Sequence, residues 1–166
     1  MTLTKLSLPP RVKIMEAMGA LADGRIERIG GSSFKVVSSD RTRVYQVYVE
    51  VVEQGRFRVC STDNGTVYRG YSGYPILSVL MVLGYLHRDV EVERALAGIP
   101  WRKLNESLKR YALVESEVLK LATSRGVSSS RVKASIAKVI EDLKNLTLLF
   151  DPSACGGVDY EKEGTD

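Results

Sequence analysis

The sequence RVYQVYVEVVEQGRFRVCS, residues 43–61, decides the fold because its side chains alternate between apolar and polar over two runs. Alternation with a period of two is typical of strands that bury one face. Valine, tyrosine and phenylalanine favour the same extended state. The segment EQG between the two runs is a tight turn. The stretch therefore predicts two antiparallel strands, over residues 43–52 and 56–61.

Shorter strands flank this predicted hairpin. The segment SFKVVSS, residues 33–39, precedes it, and TVYRGY, residues 66–71, follows a turn in which Asn64 and Gly65 give a strong hairpin signal. Because parallel neighbours need long crossovers, consecutive strands with short connections predict an antiparallel meander. We expect a small sheet of four or five strands between residues 25 and 71.

Helical patterns precede and follow the predicted strands along the sequence, so the predicted class is α+β with the sheet packed on helices. Pro9 and Pro10 mark the first helix start, and three serines at 128–130 are N-caps of the last helix. The segment 75–86 is apolar nearly all round, which predicts a buried helix. The helical patterns cover residues 9–24, 75–86, 90–96, 101–123 and 128–150.

The last predicted helix carries an apolar seam. Its members follow the 4-3-4-3-4 spacing of a coiled coil: Val132, Ile136, Val139, Leu143, Leu146 and Phe150. The seam fits either a coiled coil that makes a dimer or tetramer, or a helix packed inside the monomer, and we favour self-association. The predicted organisation is a binding domain over residues 1–125, an oligomerisation helix over 126–150 and a disordered acidic tail over 151–166.

The charge distribution indicates a polyanionic partner. The formal net charge is +4, but the last sixteen residues carry five acids and one lysine, so residues 1–150 carry +8. A basic body attracts nucleic acid first and an anionic membrane second, although many basic proteins bind neither. The apolar run at 76–86 is too short to span a bilayer.

Arginines and tyrosines share the predicted strands with small polar residues. Exposed rings can stack bases for about 1–3 kcal/mol each, and cations follow the phosphates of a single strand. The alternative is that tyrosines are simply good strand formers and arginines fill a solvated face. The residues predicted to bind nucleic acid are Lys35, Arg43, Tyr48, Arg56, Phe57, Arg58, Tyr68, Arg69, Tyr71 and Tyr74.

Other chemistries have weaker signals. Residues 117–143 resemble a helix-turn-helix, in which Ser130, Arg131, Lys133 and Ser135 would enter a major groove. The sequence offers no nucleophile–histidine pair, phosphate-binding loop or zinc spacing, so we expect no enzyme, metal or cofactor. Cys60 and Cys155 share no motif spacing, which indicates a reducing, cytoplasmic setting.

The pieces together resemble the ThermoDBP family, the single-stranded DNA-binding proteins of thermophilic archaea that lack an OB-fold. The residues that carry the resemblance are RVYQVYVEVV, RFRVCSTDNGTVYRGYSGYP and the seam, and it covers most of residues 9–150. It implies a basic cleft that binds single-stranded DNA or RNA with little sequence preference, and self-association through the last helix. The alternatives are a duplex-binding helix-turn-helix protein and a coiled-coil adaptor for other proteins.

Overall fold

A computed structural model describes residues 3–156, and within them six strands form one mixed sheet. The strands are β1 (Thr4–Lys5), β2 (Ile26–Gly30), β3 (Ser33–Val37), β4 (Val44–Glu53), β5 (Arg56–Ser61) and β6 (Thr147–Phe150). Their order across the sheet is β1-β6-β5-β4-β3-β2. The α+β class and the antiparallel meander β2–β5 are confirmed, but the sheet is larger than the four or five strands predicted.

The additional strands come from the two ends of the chain. Strand β6 pairs in parallel with β5, with Phe57 opposite Leu148, and β1 pairs antiparallel with β6. A parallel neighbour needs a long crossover, and here residues 62–146, which contain every helix of the described chain except the first, lie between β5 and β6. The sheet is therefore mixed rather than antiparallel throughout.

Within residues 3–156, seven α-helices accompany the sheet. They are α1 (Arg11–Ala22), α2 (Asn64–Arg69), α3 (Tyr74–Val82), α4 (Val90–Ala95), α5 (Trp101–Leu108), α6 (Tyr111–Ser124) and α7 (Ser129–Lys144). Helix α3 packs on β4 and β5, and α1 packs on α3 with α4, α6 and α7 around it. The prediction of a buried helix over residues 75–86 is confirmed for its first part, because residues 74–81 are all buried, but the helix ends at Val82, and Val82 and Tyr85 are exposed. None of the helices in residues 3–156 is long and apolar enough to cross a membrane.

The segment TVYRGY was predicted as a strand and is instead most of helix α2. The Asp63 side chain accepts a hydrogen bond from the Thr66 amide at 3.1 Å, so it caps a helix rather than closing a hairpin. Gly65 is required there because a side-chain carbon at that position would overlap the ring of Tyr71. Gly70, at φ +71°, ends the helix in the left-handed conformation.

The single helix predicted over 101–123 is two helices. Lys109 adopts φ +60° and donates its amide hydrogen to the Asn105 carbonyl, which ends α5. Arg110 then takes an extended conformation and α6 begins at Tyr111. Neither glycine nor proline marks this break in the sequence. The apolar period of residues 101–123 continues across it and therefore predicts one helix.

The final helix ends at Lys144, not at residue 150, because the chain turns at Asn145 to enter β6. Four residues of the predicted seam are buried inside the monomer: Val132, Ile136, Val139 and Leu143. The other two, Leu146 and Phe150, lie beyond the helix and pack partly on the same core. A C-terminal coiled coil is therefore not present in the described chain, since the seam is a core face.

The first part of the predicted acidic tail is ordered. Residues Pro152–Cys155 form a 3₁₀ turn that crosses β4 and β5, and Cys155 forms a disulfide with Cys60 of β5. The two cysteines are thus paired although they share no motif spacing in the sequence. The rest of the predicted tail, residues 157–166, lies outside the described residues.

Candidate nucleic-acid interface

The outer face of the sheet, turned away from the helices, carries the polar half of the strand alternation. It consists of Lys35, Gln46, Tyr48, Glu50 and Arg58, with Thr147 and Leu149 from β6. The opposite face is the core face, where Phe34, Val36, Tyr45, Val47, Val49 and Val59 are buried. The apolar–polar alternation of residues 44–50 thus corresponds to a buried core face and a polar outer face, as predicted.

Arg58, the central cation of the outer face, is engaged by neighbours within the chain. Its guanidinium donates to Asp151 at 2.7 Å, to Glu50 at 3.2 Å and to the Tyr48 hydroxyl at 3.1 Å. It also lies 5.1 Å from the centre of the Tyr48 ring. Hydrogen bonds from Tyr48 and then Arg58 lower the pKa of Glu50. A phosphate or a base could bind Arg58 only by displacing these partners. The hydrogen-bond network of Arg58, Tyr48, Glu50 and Asp151 therefore leaves the centre of the outer face closed to such a ligand.

The turn Pro152–Cys155, which we call the C-terminal turn, holds Asp151 against Arg58. Asp151 is buried and also accepts hydrogen bonds from the amide and hydroxyl of Ser153. The bond from the Ser153 hydroxyl, then the bond from Arg58 and then the bond from the Ser153 amide lower the pKa of Asp151 below its usual value of 3.8. Beside them, Ala154 and Cys155 help to line a small pocket with Gln46 and Tyr48.

The Asp151 contacts predict an acid-sensitive attachment of the C-terminal turn. Because the pKa is lower in the folded state, the contacts stabilise the protein above pH 4 or so and this contribution is lost as the pH falls through the folded pKa. We expect the free energy of unfolding to fall more steeply between about pH 5 and pH 2 in the wild type than in Asp151→Asn. Urea unfolding at several pH values measures it, and equal slopes would contradict the assignment.

Three aromatic residues predicted to stack bases are buried. Phe57 packs edge-on against Tyr85 at 4.8 Å between ring centres, and Tyr74 packs edge-on against Tyr45 at 6.1 Å. Tyr71 lies in the core beside Gly65, and burial followed by a hydrogen bond with Tyr111 raises its pKa. Burial leaves none of the three an open ring face, so the predicted stacking role does not fit them.

The remaining predicted residues are scattered. Lys35 is half-buried on the outer face opposite Gln46 and Glu27, and Arg56 is exposed at the β4–β5 turn, 3.9 Å from Glu53. Arg43 is half-buried just before β4. Tyr68 and Arg69 lie on α2 instead, where half of the Tyr68 side chain is exposed. The predicted set is therefore not one site.

Arg69 belongs to a second site, a cleft between α2, α5 and α6 with a volume of about 560 Å³. We call it the helical cleft, and its lining is Arg69, Asn105, Glu106, Lys109, Arg110, Tyr111 and Val114. Arg69, Lys109 and Arg110 are exposed and, within residues 3–156, none of them forms an ion pair with an acidic side chain. The cleft thus gathers three accessible cations around an aromatic ring, which the outer face does not.

Buried polar groups support the floor of the helical cleft. Asn105 is buried and its amide donates to the Glu16 carboxylate at 2.6 Å. Glu16 forms an ion pair with Lys13 at 3.2 Å, and the Lys13 ammonium lies 5.7 Å from the centre of the Tyr111 ring. Hydrogen-bonded charges inside a core hold their partners in fixed positions. The floor is therefore rigid and the rim is charged.

Sequence reasoning missed Lys109, Arg110 and Tyr111. The predicted helix over residues 101–123 contains all three, although two adjacent basic residues followed by an aromatic are the same combination of residue types that marks the predicted binding residues of the strands. The left-handed Lys109 at the helix break brings all three into the cleft. The local signal was the sequence Lys-Arg-Tyr itself.

The predicted helix-turn-helix surface is also occupied. Arg131 donates to Asp89 at 2.9 Å and to Glu91 at 2.6 Å, and hydrogen bonds from Arg131 contribute to the lowered pKa of Asp89, against the opposing effect of burial. Ser135 is buried and lies 3.4 Å from His87. Ser130 and Lys133 are exposed. Two of the four expected groove contacts are thus committed to the protein itself.

Comparison with known proteins places the chain in a family without assigning it an activity. No curated protein and no solved structure matches the chain. One family model matches residues 6–149, which span every strand from β2 to β5, all seven helices and the helical cleft. The chain therefore belongs to the family described as uncharacterised conserved protein UCP014422.

Proposed function

We propose that the protein binds single-stranded nucleic acid, with little sequence preference, in the helical cleft rather than on the sheet. The observation that carries the proposal is that Arg69, at the end of α2, lines one cleft together with Lys109 and Arg110, at the break between α5 and α6, without acidic partners in the described chain. Cations that are held apart from carboxylates remain available to phosphates, whereas Arg58 is already neutralised by Glu50 and Asp151.

Aromatic residues supply the second element of the proposed interface. Tyr111 lines the cleft with 40% of its surface exposed, and Tyr68 is 51% exposed one residue before Arg69. Stacking of a base on such a ring is worth about 1–3 kcal/mol and does not depend strongly on the base. A cleft with cations and one accessible ring, beside a second exposed ring on α2, therefore fits a flexible strand better than a rigid duplex.

Charge reversal in the cleft tests this proposal. We expect Arg69→Glu with Arg110→Glu to weaken binding of labelled oligo-dT and oligo-U. Because each contacted phosphate of a single strand contributes about −0.7 to the slope of log K against log salt, the slope should become shallower by about 1.4. Fluorescence anisotropy at several salt concentrations measures both effects.

The control is the double variant Lys133→Glu with Lys138→Glu. It changes the net charge by the same amount as the cleft variant, but on the exposed side of α7. Unchanged strand binding in this control places the effect in the cleft. If the control loses binding as strongly as the cleft variant, the cleft assignment is wrong. A preference for duplex that only the control abolishes would favour the helix-turn-helix alternative, and no binding by the wild type would leave the protein-adaptor alternative.

Association and location remain predictions within this proposal. A dimer or tetramer, testable by analytical ultracentrifugation, would need another surface than the seam, because most of the seam is buried in the monomer. A cytoplasmic location in a thermophilic archaeon, as the ThermoDBP resemblance implies, is compatible with the disulfide, since intracellular proteins of hyperthermophiles are often rich in disulfides.

A further inference from the structure

The charges of the helical cleft do not balance. Among residues 3–156, three cations line it, and the one carboxylate on its rim, Glu106, lies 3.3 Å from Arg102 outside the cleft. Even when Glu106 is counted in full, the lining residues carry a formal charge of +2. Cations gathered in a cleft repel one another unless an anion joins them, so the site is complementary to a compact group with about two negative charges.

The shape of the cleft favours a compact ligand. Its volume of about 560 Å³ lies in the range of small-molecule sites, about 300–1,000 Å³. Its floor is formed by Asn105 and Val114, which are both buried, and Glu16 fixes the Asn105 amide. A pocket of this size suits a compact ligand, whereas a groove for a continuous strand would extend further.

Helix α6 adds to the positive potential. Its N-cap residue is Arg110, no side chain caps its first amides, and its first turn contains no acidic residue. The amino end of a helix carries about half a positive charge, and phosphate groups are favoured there. The helix end and the three cations therefore act in the same direction.

We propose that the helical cleft recognises a phosphate monoester, the terminal phosphate of a nucleic-acid strand. A monoester carries about −1.5 to −2 charges at pH 7, which matches the cleft, whereas an internal diester carries one. The inference rests on the proposed strand binding and makes it specific: the protein binds strand ends in preference to the middle of a strand. A free nucleotide offers the same group, so it must be distinguished from a strand end.

Internally labelled oligo-dT with a 5′-phosphate, with a 3′-phosphate or with hydroxyls at both ends separates these cases. We expect one of the phosphorylated strands to bind roughly tenfold or more tightly than the hydroxyl strand, the effect of one or two additional charge-assisted hydrogen bonds. Competition with adenosine monophosphate and with inorganic phosphate then measures how much of this preference a free monoester removes.

A matched pair of variants ties the preference to the cleft. Lys109→Gly removes one cation at a left-handed backbone position that suits glycine, so the protein should fold while the preference for phosphorylated ends falls. Arg41→Gly removes one cation at φ +62° in the turn before β4, outside the cleft lining, and should keep the preference.

The outcomes distinguish the two proposals. Equal affinity for all three strands overturns terminal-phosphate recognition and leaves strand binding intact. Binding of adenosine monophosphate that depends on Lys109, without binding of any strand, overturns the proposed function and keeps the monoester site. A preference that survives in Lys109→Gly but is lost in Arg41→Gly places the site elsewhere. Absence of binding to every probe overturns both.

Discussion

Reduction of the Cys60–Cys155 disulfide is expected to lower the free energy of unfolding by about 4.7 kcal/mol, by the loop-entropy relation for the chain that it closes. The two cysteines are 95 residues apart in sequence, so the bond removes much of the freedom of the unfolded chain. For a chain of this size, 1 kcal/mol shifts the melting temperature by about 2–4 °C, so the expected fall is roughly 10–20 °C.

The design separates the loop effect from the side chains. The oxidised and reduced wild type contain identical residues, so the difference between their melting curves reports the cross-link alone. The variant Cys60→Ala with Cys155→Ala should melt near the reduced wild type, shifted only by the loss of two buried sulfurs. If reduction, verified by thiol alkylation, leaves the melting temperature unchanged, the disulfide does not constrain the protein in solution.

The second large effect is expected from Glu16→Gln. The Glu16 carboxylate is fully buried between the Lys13 ammonium and the Asn105 amide. The substitution keeps the shape and an acceptor for Asn105, but it leaves Lys13 as a buried cation whose nearest carboxylate has become neutral. Removal of one partner from a buried ion pair costs about 3–5 kcal/mol. Denaturant unfolding at pH 7 measures this loss.

The double variant Lys13→Met with Glu16→Gln distinguishes a charge effect from a packing effect. It removes both charges while the glutamine can still accept from Asn105, so it should recover most of the stability lost in Glu16→Gln. Replacement of a complete buried pair is often neutral or stabilising. A double variant that is less stable than Glu16→Gln would mean that the Lys13 side chain contributes through contacts other than this pair.

The strands of the meander could be predicted because period-two alternation is a strong local signal. Strand β4 and strand β5 lie where residues 43–61 placed them, and the valine face is the core face. Helix α2 could not be distinguished from a strand, because six residues are too few to reveal a helical period and an aspartate before Asn-Gly fits both a turn and a cap. Strand β6 was missed because Leu146 and Phe150 happen to continue the heptad spacing of α7.

The candidate site depended on contacts that a local pattern does not contain. Alternation correctly placed Tyr48 and Arg58 on one face. Their hydrogen bonds to Glu50 and to Asp151, which is 93 residues away from Arg58, exist only in the folded chain and could not be predicted. The cleft forms where α2 meets the break between α5 and α6. Arg69 and Lys109, which lie on its two sides, are 40 residues apart in sequence. Only the type of residue, basic beside aromatic, was visible in advance.

The pairing of Thr4 with Phe150 sets a limit on when the sheet can be completed. Because a chain is synthesised from its amino end, the meander β2–β5 can form early from contacts close in sequence, while β1 must wait for β6, nearly the whole chain later. During that interval β5 presents an unpaired edge with Phe57 and Val59 on its apolar side. We expect the nascent chain to be most prone to aggregation in this interval, and the arrival of the last strand to end its exposure.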